Sequence, residues 1–187
     1  AQQLRFWLLE AEVYNEQKQY EKSFDLLSQA LAESPGQPEL LYTRALVAER
    51  MGRLDVLESD LKLILEKNPD DANALNALGY TLADKTDRLV EAEEYLNKAI
   101  ALQPEEPVII DSYGWLLFRK GDPDGALDYL QRAYSEVKEG EIASHLVEVL
   151  WVLDRKDEAR ALFGEAMGEV ADKEPLIKLQ QRIPGLN

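Results

Sequence analysis

Apolar residues recur along the chain at three- and four-residue intervals, the spacing of a helix with one buried face. The stretch Pro107 to Glu139, PVIIDSYGWLLFRKGDPDGALDYLQRAYSEVKE, shows it most clearly. Two such segments flank the turn Lys120-Gly121-Asp122-Pro123. Small residues stand where the two helices have to touch: Gly114 in the first, Ala126 and Ala133 in the second. The pattern predicts a helical hairpin. Gly121 suits the left-handed residue that closes a helix. Asp122 and Pro123 suit the N-cap and first position of the next one.

The hairpin repeats with a period of about 34 residues. Its register wants a large residue at position 4, small ones at 8, 20 and 27, an aromatic or large apolar one at 24, and Pro at 32. Repeat one, about 4–37, supplies Trp7, Ala11, Ser23, Leu27, Ala30 and Pro35. Repeat two, about 38–71, has Leu41, Ala45, Leu57, Leu61, Ile64 and Pro69. Repeat three, about 72–106, has Leu75, Gly79, Ala92, Leu96, Ala99 and Pro104, with one extra residue that the spacing assigns to the turn Lys85-Thr86-Asp87-Arg88. Repeat four, about 107–139, has Ile110, Gly114, Ala126, Leu130 and Ala133. Repeat five, about 140–173, has Ala143, Val147, Ala159, Phe163 and Ala166. Gly52 and Asp154 occupy the turn position of Gly121. This register resembles the tetratricopeptide repeat (TPR).

A hairpin of this kind cannot bury its apolar faces alone, so neighbours stack. The expected fold is all-α: a right-handed TPR solenoid of about five repeats forming one domain over 1–187. Leu176, Ile177, Leu179 and Ile183 predict a further helix, about 174–183, that caps the last repeat.

Composition narrows the chemistry. The net charge of −15 disfavours nucleic acid and anionic membrane as partners. Without cysteine there is no disulfide, thiol catalysis or cysteine-rich zinc site. No apolar run approaches the ~20 residues that span a bilayer. The chain opens within a helical pattern and without Met, which is the expectation for a fragment, or a processed product, of a longer protein.

No catalytic constellation is visible. The one histidine, His145, adjoins Ser144, and sequence neighbours on a helix do not face each other. His145 therefore reads as an ordinary residue of the solenoid surface. No phosphate-binding glycine loop and no metal-ligand spacing occurs. We expect no enzyme activity, cofactor or metal. The acidic clusters Glu91-Glu93-Glu94, Asp122-Asp124-Asp128 and Asp157-Glu158 stand near the starts of second helices, where the helix dipole favours them.

The candidate site is the inner groove lined by the first helices. Groove positions of the register place there Tyr42, Asn73, Asn76, Tyr80, Asp111, Trp115, Phe118, Arg119, Glu148 and Trp151. The aromatics are the side chains from which protein-binding hot spots are made. Asn73 and Asn76 offer a donor and an acceptor each to an extended peptide. The groove carries no Lys at position 5, and Asp111 stands there in repeat four, so a carboxylate-clamp type of TPR site is not expected.

The wording LLYTRALVAERMGRLDVLESDL, DANALNALGYTLADKTDRLVEAEEYL, DSYGWLLFRKGD and ASHLVEVLWVLDRKDEAR resembles the C-terminal repeats of proteobacterial outer-membrane TPR lipoproteins. That resemblance implies a periplasmic adaptor, lipid-anchored through a segment outside this chain. Its partners would be a carboxyl-terminal processing protease and its cell-wall hydrolase substrates. The alternative is a structural TPR segment of an envelope or pilus assembly complex.

Overall fold

The computed structural model describes residues 2–186, and among them every regular element is an α-helix. In chain order they are α1 (Gln2–Glu16), α2 (Tyr20–Glu33), α3 (Pro38–Arg50), α4 (Leu54–Lys67), α5 (Ala72–Lys85) and α6 (Leu89–Leu102). There follow α7 (Pro107–Arg119), α8 (Pro123–Glu136), α9 (Gly140–Val152), α10 (Lys156–Glu169) and α11 (Glu174–Arg182). The first ten pair into the five predicted hairpins, and α11 is the capping helix: a TPR solenoid. By backbone contacts the chain falls into two compact units, Ala1–Leu78 and Gly79–Asn187, with the break inside α5.

In the first unit the core is aliphatic, with Leu27, Leu40, Leu57 and Leu61 fully buried. Ser23 stands at a small position and donates its hydroxyl to the Ala11 carbonyl at 3.3 Å, so the polar group is satisfied where α2 crosses α1. Asp60 is buried, and Arg44 of α3 grips it with two bonds, Nε at 2.8 Å and Nη2 at 2.7 Å. A third guanidinium nitrogen of Arg44 donates to Ser28 Oγ at 3.2 Å. One ion pair thus ties α2, α3 and α4 together.

In the second unit the small positions are enforced by sterics. A Cβ on Gly114 would lie 3.0 Å from both Tyr129 Cβ and Leu130 Cγ; one on Gly79 would lie 2.6 Å from Leu96 Cγ. The core runs from Ile110 through Leu130, Leu146, Val147 and Phe163 to Leu176 and Leu179 on α11.

The turns within hairpins use three devices. Gly52 (φ +71°) and Gly121 (φ +87°) are left-handed, as the register requires. Lys18 (φ +55°) and Asp154 (φ +61°) adopt the same conformation with a side chain. The third hairpin differs. Its turn, 86–88, is as short as 51–53 and 120–122, and α5 has 14 residues where α7 has 13. The extra residue therefore lengthens the helix rather than the turn, a correction to the sequence reading. The physical reason is Thr86. Its hydroxyl donates to Leu82 O at 2.6 Å and accepts the Arg88 N–H at 3.0 Å, closing the turn without a left-handed residue. As expected, Asp122 caps α8, accepting the Gly125 N–H at 2.9 Å, with Pro123 first in the helix.

Candidate protein-binding face

Within the second unit, side chains at i and i+4 converge from three first helices: Tyr80 and Asp84 from α5, Asp111 and Trp115 from α7, Glu141 and His145 from α9. At their centre is His145. It is buried, and its Nδ1 lies 3.0 Å from each oxygen of Asp111. Two anionic acceptors fix a proton on Nδ1. On the ring's other side the Tyr80 hydroxyl lies 3.4 Å from Nε2 and donates to Glu141 Oε1 at 2.6 Å. Trp115 stacks on the imidazole, centroids 4.1 Å apart and planes 17° apart, and Phe118 packs on the Trp115 ring at 5.0 Å. The Trp115 Nε1–H donates to Asp84 at 3.0 Å.

The electrostatics follow from this geometry. Burial opposes a charge on His145, but the Asp111 carboxylate beside it, then Glu141 and Asp84, outweigh that and raise its pKa above 6.5. Tyr80 is pushed well above the usual 10 of a phenol, first by burial and then by Glu141 and Asp84. Burial works to raise Asp84, but Lys85, the Trp115 N–H and His145 together carry it below 3.8. The protonated ring satisfies every partner at once. Nδ1–H serves Asp111, Nε2–H faces the Tyr80 oxygen, and the Tyr80 proton goes to Glu141.

Arg119, at the end of α7, closes the adjoining end of α5. It donates to the carbonyls of Ala83 at 2.6 Å and Asp84 at 2.7 Å, with Thr86 O at 3.4 Å. These are carbonyls at the C-terminal end of a helix, the end where a cation is favoured.

Several expectations change. His145 is not a surface residue but the centre of a buried polar network. Asp111 and Trp115 are also buried, Trp115 being only 6% exposed, so neither is open to a partner; both are spent on His145 and Asp84. Phe118 is half-buried against Trp115, and Arg119 is half-buried over the carbonyls that end α5. Glu148 is half-buried and receives both terminal nitrogens of Arg182, at 3.2 and 2.8 Å, tying α9 to the capping helix. Trp151 is half-buried with Lys156 and Arg160 over its ring. Glu141 is exposed and Tyr80 half-buried.

In the first unit, Asn73 is exposed. Tyr42 is half-buried, its phenol raised by burial and then by Asp71. The Asn76 side-chain carbonyl is buried with no hydrogen-bond partner among the described residues.

The Asp111–His145 pair was missed although a signal existed. The two are 34 residues apart, one repeat, which puts them at the same height on successive first helices. Glu148 and Arg182 share that separation. Among the described residues no group of His, Cys, Asp and Glu side chains is arranged to hold a metal. No described helix is long and apolar enough to cross a membrane.

Paired helices, small residues at the crossings and a face built from first helices define a repeat protein of the recognition type. The chain belongs to the tetratricopeptide repeat family: its model matches residues 42–107 and 114–172. TPR arrays are scaffolds for protein–protein interaction. A TPR repeat-containing protein of Pseudomonas aeruginosa, PA4667, is 41% identical over 145 residues, covering 78% of this chain and 25% of its own length. The Drosophila melanogaster protein O-mannosyl-transferase Tmtc2 is 34% identical over 95 residues, 48% of this chain and 10% of its own. The chain thus spans a quarter or less of these relatives. Among solved structures, the TPR protein TTC0263 of Thermus thermophilus superposes with TM-score 0.81 at 24% identity, covering 95% of both chains. The pilus biogenesis factor PilW gives 0.77 at 20% identity, covering 97% of this chain and 86% of its own. Pseudomonas aeruginosa pilF gives 0.71 at 18%, covering 95% and 81%. At these identities the likeness is one of fold.

Proposed function

We propose that this chain is the C-terminal part of a periplasmic adaptor, anchored to the outer membrane through a segment outside these residues. In this reading it holds a carboxyl-terminal processing protease and presents cell-wall hydrolase substrates to it. The observation that carries the reading is the locked face of α5, α7 and α9. Asp111, His145, Tyr80 and Trp115 hold three successive first helices in one arrangement, so the exposed groups on that face meet a partner preorganised. The exposed group there is Glu141, beside the half-buried Tyr80, which suits a partner surface with basic and apolar side chains. The 41% identity over 145 residues to a bacterial TPR protein supports the same reading.

The test is capture from a periplasmic extract with wild type and with Glu141→Lys, a change at an exposed position. Wild type should retain a carboxyl-terminal processing protease, identified by mass spectrometry, and the variant should retain less. If no such protease is enriched on wild type, the adaptor reading falls. Equal retention by the variant would move the binding surface off this face. The pilus or envelope assembly alternative has only the fold likeness to PilW and pilF behind it.

A further inference from the structure

One hydroxyl proton in the second unit has two acceptors in reach. Tyr80 donates to Glu141 Oε1 at 2.6 Å, and the same phenolic oxygen lies 3.4 Å from Nε2 of His145. A hydroxyl carries a single proton, so it serves one acceptor or the other. Rotation about the phenolic C–O bond exchanges them.

The state of the imidazole decides between them. While the ring is charged, Nε2 carries a proton and cannot accept. Tyr80 then accepts from Nε2–H and donates to Glu141. On losing a proton the ring keeps the one on Nδ1, which faces both oxygens of Asp111 at 3.0 Å. Nε2 becomes a bare lone pair in a side chain only 5% exposed. Among the described residues, the group it meets is the Tyr80 hydroxyl. A buried acceptor without a donor is costly, whereas Glu141 is exposed and water can replace Tyr80 there. The hydroxyl therefore turns inward and the carboxylate is released.

The groups that bear on the ring come from three helices. They are Tyr80 and Asp84 of α5, Asp111 of α7 and Glu141 of α9, with Lys85 paired to Asp84 at 2.7 Å. Arg119 of α7 is held at the carbonyls that end α5. The helices α8 and α10 meet α9 through the apolar core, and α11 meets it through Leu176, Leu179 and the Arg182–Glu148 pair. Against burial, the three carboxylates raise the ring's pKa above 6.5. Burial, then Glu141 and Asp84, push the Tyr80 phenol well above 10, so the ring titrates while the phenol keeps its proton.

We propose that His145, Tyr80 and Glu141 form a proton-operated switch. The charged ring ties down the exposed Glu141 carboxylate through Tyr80, and the neutral ring frees it for a cationic side chain of a partner protein. Only that last use rests on the adaptor reading. By linkage, a cation that captures Glu141 favours loss of the ring proton.

The experiment is an NMR titration of the 187-residue chain alone, labelled with 13C and 15N, from about pH 5.5 to 9.5 across the raised imidazole range. The side-chain carboxyl resonance of Glu141, identified by its loss in Glu141→Gln, should step at the His145 midpoint. Tyr80→Phe keeps the ring and removes the oxygen. There the step should shrink at least about threefold, to the through-space effect of the charge. An undiminished step in Tyr80→Phe would overturn the proposal, as would no step in wild type. A second reading needs no variant. The 15N resonances of the neutral ring should show a protonated Nδ1 and an Nε2 lone pair that accepts a hydrogen bond. A proton on Nε2 instead would sink the switch, whether or not Tyr80→Phe folds. No protease enters these measurements, so a failed capture leaves the switch standing and a failed step leaves the capture result untouched.

Discussion

Nδ1 of His145 sits 3.0 Å from both carboxylate oxygens of Asp111, and Trp115 covers the ring 4.1 Å away. A cation between a carboxylate and an indole face is stabilised by both neighbours. The histidine is therefore a joint between α7 and α9 that depends on its proton.

The pH dependence has a definite sign. The pKa of His145 is raised in the folded chain relative to the 6.5 of a free imidazole. Its contribution is fully present below 6.5 and is lost as pH rises through the folded value. Because His145 is the only histidine, its imidazole proton resonances can be followed without ambiguity. The titration midpoint should lie above 6.5. The stability difference between wild type and His145→Gln should narrow as pH rises from 5.5 to 8.5. A midpoint at or below 6.5 would contradict the ion pair.

Alanine at Trp115 is expected to act on stability before it acts on binding. The ring is buried against His145 and Phe118, so its loss should cost about 3–5 kcal/mol by urea denaturation. Trp115→Phe keeps a ring but leaves Asp84 without its indole donor, and should cost about 1–2 kcal/mol. Partner binding is better probed at Glu141, which is exposed.

Glycines within helices should split into two groups. Gly114→Ala drives a methyl into Tyr129 and Leu130, and overpacking of about 1–3 kcal/mol should outweigh the gain in helix propensity. Gly164 and Gly168 in α10 have nothing within 4 Å of an added Cβ. Alanine at either should stabilise by about 0.5–1 kcal/mol. Thermal denaturation of the three single variants decides the matter, and a stabilised Gly114→Ala would mean the α7–α8 crossing is looser than described.

Arg44 and Asp60 should show strong coupling. Removing Arg44 alone leaves Asp60 buried and unpaired, at a cost of about 3–5 kcal/mol. The double change Arg44→Leu/Asp60→Leu should be nearer to wild type than Arg44→Leu alone, because it leaves no orphan charge. A purely additive double-mutant cycle would show the pair to be energetically silent.

The fold was legible because its constraints are local and periodic. Gly79 and Gly114 announce close crossings by their size, and Gly121 and Asp154 announce turns by their tolerance of positive φ. Thr86 was not legible in this way. It replaces backbone conformation with a side-chain hydrogen bond, so the extra residue passed into α5 while sequence spacing assigned it to the turn. The site was harder still. Groove positions were read repeat by repeat, which singled out Tyr80, Asp111 and Trp115 but not their partners Asp84, Glu141 and His145. It did not show that Trp115, Asp111 and His145 turn toward one another across repeats. A polar residue in a helical pattern looks solvated until its partner, one repeat away, is sought.

The pairs that cross between repeats also bear on how such a gene can change. Asp111 belongs to repeat four and His145 to repeat five; Asp84 belongs to repeat three and Trp115 to repeat four. Recombination that deletes, inserts or transposes hairpin four would separate Asp111 from His145 and Trp115 from Asp84, even with every helix boundary kept in frame. In repeat two, by contrast, buried Asp60 and the Arg44 that pairs with it belong to the same hairpin. Unequal crossing-over should thus be tolerated more readily toward the N-terminal end of the array, and hairpins three to five should be inherited as a single linked block.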